Sequence, residues 1–171
     1  MNELNTLISH EDFSYEHLKN ALSSEGLLNP QRMSNGALVA VGHSTKLIQM
    51  FLLPEAHAIQ FGAPLILKAG GSYPDLYNLV NQLNANLIFG KLSFTEENVV
   101  LASNSVSFLG GITPKQASLS FFEFDRSVKS VIELLSEEEY LDADYNSDIG
   151  FDPIEYERLE QSKKNIISAQ E

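Results

Sequence analysis

The residues of this chain best suited to chemistry form an acidic run near its C-terminal end, Asp142, Asp144, Asn146 and Asp148. Oxygen side chains at alternate positions are what a calcium loop presents to a hard cation. The rest of that loop is missing. Its sixth position needs glycine for the turn and holds Ser147, and its twelfth needs a bidentate glutamate and holds Pro153. A solvated acidic segment accounts for the run more simply. The four histidines, His10, His17, His43 and His57, match no zinc spacing, and the chain has no cysteine to assist them. His17 is expected on the exposed side of a helix. Gly42-His43-Ser44 and Gly70-Gly71-Ser72 set a serine beside glycine, but neither is a nucleophile elbow or a phosphate-binding loop. No catalytic constellation, metal site or cofactor motif emerges, and the expectation is a protein that is not an enzyme and needs no cofactor.

Charge separates two parts of the chain. The 171 residues carry a formal net charge of −12. Met1–Ile132 holds 11 acidic and 8 basic residues, and Glu133–Glu171 holds 12 and 3. A nearly neutral body thus precedes a strongly negative tail. Negative charge is repelled by phosphate backbones and anionic bilayers, which argues against nucleic acid and membrane partners. The first residues lack a basic, apolar leader, and no apolar run is long enough to span a bilayer, so a cytoplasmic location is expected.

The elements that must carry these residues follow from hydrophobic period and punctuation. Ser14 as N-cap with Tyr15, Leu18, Ala21 and Leu22 at helical spacing predicts a helix over 14–25, closed by Gly26. After the Asn35-Gly36 turn, short apolar runs predict strands at 37–41, 47–53 (stopped by Pro54), 58–61 and 64–69, the last two divided by Gly62. Pro74 opens a second helix to about Asn84. Strands over 87–94 and 99–108 form a hairpin around Glu97-Asn98. Thr113-Pro114 then starts a third helix to Leu135 or Ser136, directing Phe121, Phe124, Val128, Val131, Ile132 and Leu135 into the core. Asn84 is read as a cap or turn residue, and the Asn81 amide as a bond towards the next strand. Residues 137–149 read as an exposed linker, and Asp152-Pro153 as the start of an amphipathic helix carrying Ile154, Leu159 and Ile166. The whole is an α+β fold, an antiparallel sheet packed against helices in the order α-βββ(β)-α-ββ-α. The domain is expected over 1–136 and the acidic linker with its helix over 137–171.

Two segments resemble a known family. Leu79-Val80-Asn81-Gln82-Leu83-Asn84 running into Phe89-Gly90-Lys91 is similar to the core of the YbjN-like domain. Gly110-Gly111-Ile112-Thr113-Pro114-Lys115-Gln116 is similar to its turn between the last hairpin and the final helix. The resemblance spans about Phe13 to Leu135. It implies an architecture like that of class I type III secretion chaperones, and a dimeric module that binds a protein partner or regulates. It implies no catalytic residue. Phe122, which cannot share a helix face with both Phe121 and Phe124, is either a packing residue or part of a dimer or partner surface. Ile154, Leu159 and Ile166 are candidates to dock in a partner groove. The alternative reading is a small-molecule or metal-binding regulator.

Overall fold

The structure is a computed structural model that describes residues 3–25, 30–42, 44, 47–68, 73–96 and 99–141. Gly26, His43, Gly70-Gly71, Glu97-Asn98, the acidic run Asp142–Asp148 and the tail residues Ile154, Leu159 and Ile166 lie outside them.

Alternation of apolar residues builds one antiparallel sheet. Its strands are β1 (Gln31–Arg32), β2 (Leu38–Val41), β3 (Leu47–Leu53), β4 (Ala58–Ile66), β5 (Lys91–Glu96) and β6 (Val99–Ser107). They lie side by side in the order β1-β2-β3-β4-β6-β5. The helices are α1 (Tyr15–Ser24), α2 (Tyr73–Asn86) and α3 (Pro114–Glu137). Helix α2 carries the chain from β4 to the edge strand β5, and the β5–β6 hairpin returns it to the side of β4.

Because side chains alternate along a strand, each strand offers one set of residues to each face of the sheet. One set, including Leu38, Ile48, Met50, Ile59, Phe61, Leu65 and Val100, joins Leu18 and Leu22 of α1, Val80 of α2 and Phe121, Phe124 and Val128 of α3 in the main core. Phe61 stacks on Phe124 at 5.7 Å and meets Phe121 edge-on at 6.5 Å. All three helices therefore pack on the same face. A second cluster, Met33, Ala37, Val39 and Leu47 with half-buried Phe51, contains sheet and turn residues only.

The helix starts are as their sequences foretell, with one refinement. Thr113 and Gln116 form a reciprocal capping box on α3, with Gln116 N–H donating to Thr113 Oγ1 at 3.1 Å and Thr113 N–H to Gln116 Oε1 at 2.9 Å. On α1 the third residue of the box is His17, whose Nδ1 accepts the Ser14 N–H at 3.2 Å. His17 is thus half-buried against the helix start, where exposure was expected.

Four further expectations are corrected. Gly62 does not divide β4, because Leu101 of β6 leans over it at 3.6 Å from where a Cβ would sit and fills the gap. Pro64 is tolerated in the same strand because β3 pairs no further along β4 than Gly62, so Pro64 has a strand partner, Leu101, on one side only. Strand β5 begins at Lys91, not Leu87. The chain first turns at Gly90, whose φ of +105° and close approach to the Ser103 carbonyl suit only glycine. Asn84, not Asn81, reaches the next strand; Asn81 is exposed. The stretch after α3 is exposed only at first: Tyr140 is half-buried, and Leu141 is buried and bridged antiparallel to Leu67.

Candidate binding surface

The motif Gly42-His43-Ser44 has a structural use that its sequence does not announce. Asp125 of α3 is buried, and its Oδ1 accepts the Ser44 N–H at 3.1 Å and also the Ser44 hydroxyl. A Cβ on Gly42 would stand 2.2 Å from that oxygen, so the glycine makes room for the carboxylate. This pairing across 81 residues ties the β2–β3 connection to α3. Among the described residues no three histidines, aspartates or glutamates gather as metal ligands.

Parts of the sheet margin are already hydrogen-bonded. On the outer strand β5, Leu92 donates its N–H to Asn84 Oδ1 at 2.6 Å and accepts from Asn84 Nδ2 at 2.9 Å. Beyond the last β2 partner of β3, the Leu52 N–H donates to the Tyr15 hydroxyl at 3.0 Å, and the Arg32 guanidinium lies 4.7 Å over that ring. Past the end of β4, the Lys68 N–H donates to the Tyr140 carbonyl at 2.9 Å. Side chains or returning backbone thus occupy positions where an added strand would pair, which protects a sheet against edge association.

The outer face is different. Phe51, Pro64, Ile66, Val99 and Leu101, all half-buried, alternate with the residues of the main core and so point away from the helices. Of these, Phe51 packs on the second apolar cluster. Serines and glutamines lie among them, and exposed Lys91 stands at the β5 margin. Half-buried apolar residues on a sheet face with no helix over them among the described residues offer a surface that a partner can cover.

A second concavity lies at the sheet end. His10, Phe13, Tyr15, Leu52, Pro54 and His57 contribute to a groove of about 460 Å³. The His10 and His57 rings meet edge-on at 4.3 Å, and His57 adopts a left-handed φ of +45° in the β3–β4 connection. Sequence spacing gave no sign of this pair, since a sheet turn and an N-terminal segment bring it together. Phe122 is half-buried on the helical layer, packed on the main core with its ring edge-on to Phe121 at 5.5 Å.

An antiparallel sheet with the three described helices on one face defines an α+β fold. The chain belongs to the YbjN family, "Putative bacterial sensory transduction regulator", whose model matches residues 14–137. Among solved structures it is similar to YbjN from E. coli, with a TM-score of 0.64 at 18% identity over 80% of this chain and 98% of that one. It is similar to an uncharacterized protein from Methanothermobacter thermautotrophicus, with a TM-score of 0.57 at 14% identity over 74% and 99%. It is also similar to the ExsC–ExsE complex, with a TM-score of 0.51 at 12% identity over 73% and 92%. Comparison with curated protein sequences finds no match. At these identities the shared property is the fold. No helix among the described residues is long and apolar enough to cross a membrane.

Proposed function

We propose that this chain is a non-enzymatic regulatory module of the cytoplasm that binds a segment of a protein partner on the outer face of its sheet. The observation that carries this reading is the set of half-buried apolar residues on the outer face, over which no helix lies among the described residues. Strand addition at Leu92, Leu52 or Lys68 would have to displace Asn84, Tyr15 or the Tyr140 carbonyl, whereas a helix or extended segment laid on the face displaces none of them. The similarity to a complex of ExsC with ExsE agrees with a protein partner. The same reading makes the chain a homodimer through its helical layer, with Phe122 beside exposed Leu119 and Leu134 as contacts.

The test is site-specific photocrosslinking. A benzophenone amino acid at Leu101, on the face, is compared with one at Leu119, on the helical side. Crosslinks to a discrete protein at Leu101 that vanish in Phe51→Asp support the reading. Equal capture of that same protein at both positions sinks it. Light scattering across a concentration series decides the dimer, and a monomer throughout removes Phe122 from the interface.

One observation favours a second reading. The groove at His10 and His57 has the volume of a small-molecule site, and its lining mixes aromatic walls with imidazole and hydroxyl groups. A ligand or metal-binding regulator would raise Tm in a thermal-shift screen, and His57→Ala would abolish the rise. No shift with nucleotides, metabolites or divalent metals removes this reading.

A further inference from the structure

We infer that the groove beside His10 and His57 takes a small organic amine, held as its ammonium with an apolar body on Leu52 and Pro54 and its charged head beside Glu11. This rests on the second reading above, in which the groove is a small-molecule site, and does not depend on the outer sheet face. The first observation is that the site is fixed before a ligand arrives. Ile8 is bridged antiparallel to Ile112, and the Phe13 N–H donates to the Ser9 carbonyl at 3.1 Å, so the turn bearing His10 is held at both ends. The His57 N–H donates to the Pro54 carbonyl at 3.1 Å, and the His57 carbonyl accepts the Phe108 N–H at 2.7 Å. Phe13 and Phe108 are buried with their rings 5.4 Å apart, and both line the groove. A wall already in place lowers the ordering cost of binding.

The second observation is charge. Glu11 lines the groove, its carboxylate is exposed, and its Oε1 stands 4.0 Å from His10 Nε2. Asp12, Glu16 and Glu55, on the same segments, are exposed as well. Segments 3–18, 47–67 and 99–113 supply every lining residue and contain no lysine or arginine. Arg32 lies over the Tyr15 ring at 4.7 Å, but it comes from β1 and does not line the groove. The local field therefore favours a cation over an anion. The third observation is hydrogen-bonding character. A neutral imidazole keeps one accepting nitrogen, and a carboxylate only accepts. An ammonium only donates, so it complements both. The groove's volume of about 460 Å³ falls within the range of roughly 300–1,000 Å³ that small ligands occupy.

The test compares three probes of one shape on the full chain: 2-phenylethylamine, 2-phenylethanol and 3-phenylpropionate. They are cationic, neutral and anionic at neutral pH. Calorimetry gives the affinities, and the ring signals of the four histidines in nuclear magnetic resonance show where each probe sits. The amine should bind roughly tenfold more tightly than the alcohol, since hydrogen bonds to a charged group are the stronger ones. The acid should bind most weakly, and the His10 and His57 signals should move with the amine. Glu11→Gln, at a fully exposed side chain that the fold does not need, should weaken the amine roughly threefold and leave the alcohol unchanged. Equal affinity for amine and alcohol, or tighter binding of the acid, would overturn the cation and leave the groove as a small-molecule site. Amine binding that leaves the His10 and His57 signals still would put the cation elsewhere on an acidic chain, and would also overturn the inference. So would the absence of binding by any probe; the wider thermal-shift screen then decides separately whether the groove takes any ligand.

Discussion

The two faces of the sheet are made from the same strands, yet they serve different ends. Ile59 and Phe61 point to the helices and are fully buried, while Gln60 between them points outward and is half-buried. The inner face gains rigidity from aromatic contacts with α3; the outer face keeps apolar residues over which no helix lies among the described residues. Stability and recognition are thereby separated by the two-residue period of a strand, so the two can be perturbed one at a time.

The largest effect should come from the inner face. Phe121 is fully buried, and its ring contacts both Phe61 and Phe122. Phe121→Ala leaves a cavity between α3 and the sheet and should cost about 3–5 kcal/mol. Chemical denaturation measures it. A loss under 1 kcal/mol would mean that α3 is not seated on the sheet as described.

Next comes the anchor between the layers. Asp125→Ala removes the acceptor for the Ser44 N–H and hydroxyl and leaves those buried donors unsatisfied. The expected loss is about 1–3 kcal/mol. Gly42→Ala, which drives a methyl group into Asp125, should lower stability in the same range. If the two losses are additive in the double variant, the residues do not act through one contact; coupling of at least about 0.5 kcal/mol is expected.

A smaller effect belongs to the sheet margin. Asn84→Ala frees both backbone groups of Leu92. Each hydrogen bond contributes about 0.5–1.5 kcal/mol, so a loss of about 1–2 kcal/mol is expected. The more telling readout is hydrogen exchange at the Leu92 amide, which should accelerate selectively. The opened edge should also raise self-association, because an unpaired strand margin is a template for another chain. Unchanged exchange would show that Asn84 does not close this edge.

How far the sequence foretold these features depends on the range of the interaction. Helix starts are local: Thr113, Pro114 and Gln116 lie within four residues and specify the capping box unaided. The β3 stop at Pro54 is equally local. The strand break expected at Gly62 was wrong because a glycine in isolation signals interruption, while Leu101, 39 residues away in sequence, supplies the packing that makes it continuous. The pairing of Gly42 with Asp125 has no local signature at all, since each residue alone has a commoner explanation. The resemblance to the YbjN-like domain identified the family and the order of elements. It did not reveal that the three described helices pack on the same side of the sheet, because that depends on contacts distant in sequence.

The smallest effect on stability should accompany the largest effect on recognition. Leu101 is half-buried on the outer face and touches the space above Gly62, with no helix among the described residues packed on it. Leu101→Gln keeps the chain length and strand position but makes the patch polar, and should change stability by no more than about 1 kcal/mol. If the outer face is the docking surface, the same substitution at its centre should reduce partner binding by at least about tenfold, because polar groups placed in a desolvated contact lose water without regaining hydrogen bonds. A titration of partner against the wild-type and Leu101→Gln proteins, with denaturation midpoints measured in parallel, separates the two quantities. Equal affinities would return the outer face to an ordinary solvated surface. A large stability loss would instead place Leu101 in the folding core, and the division of labour between the two faces would fail at its most direct test.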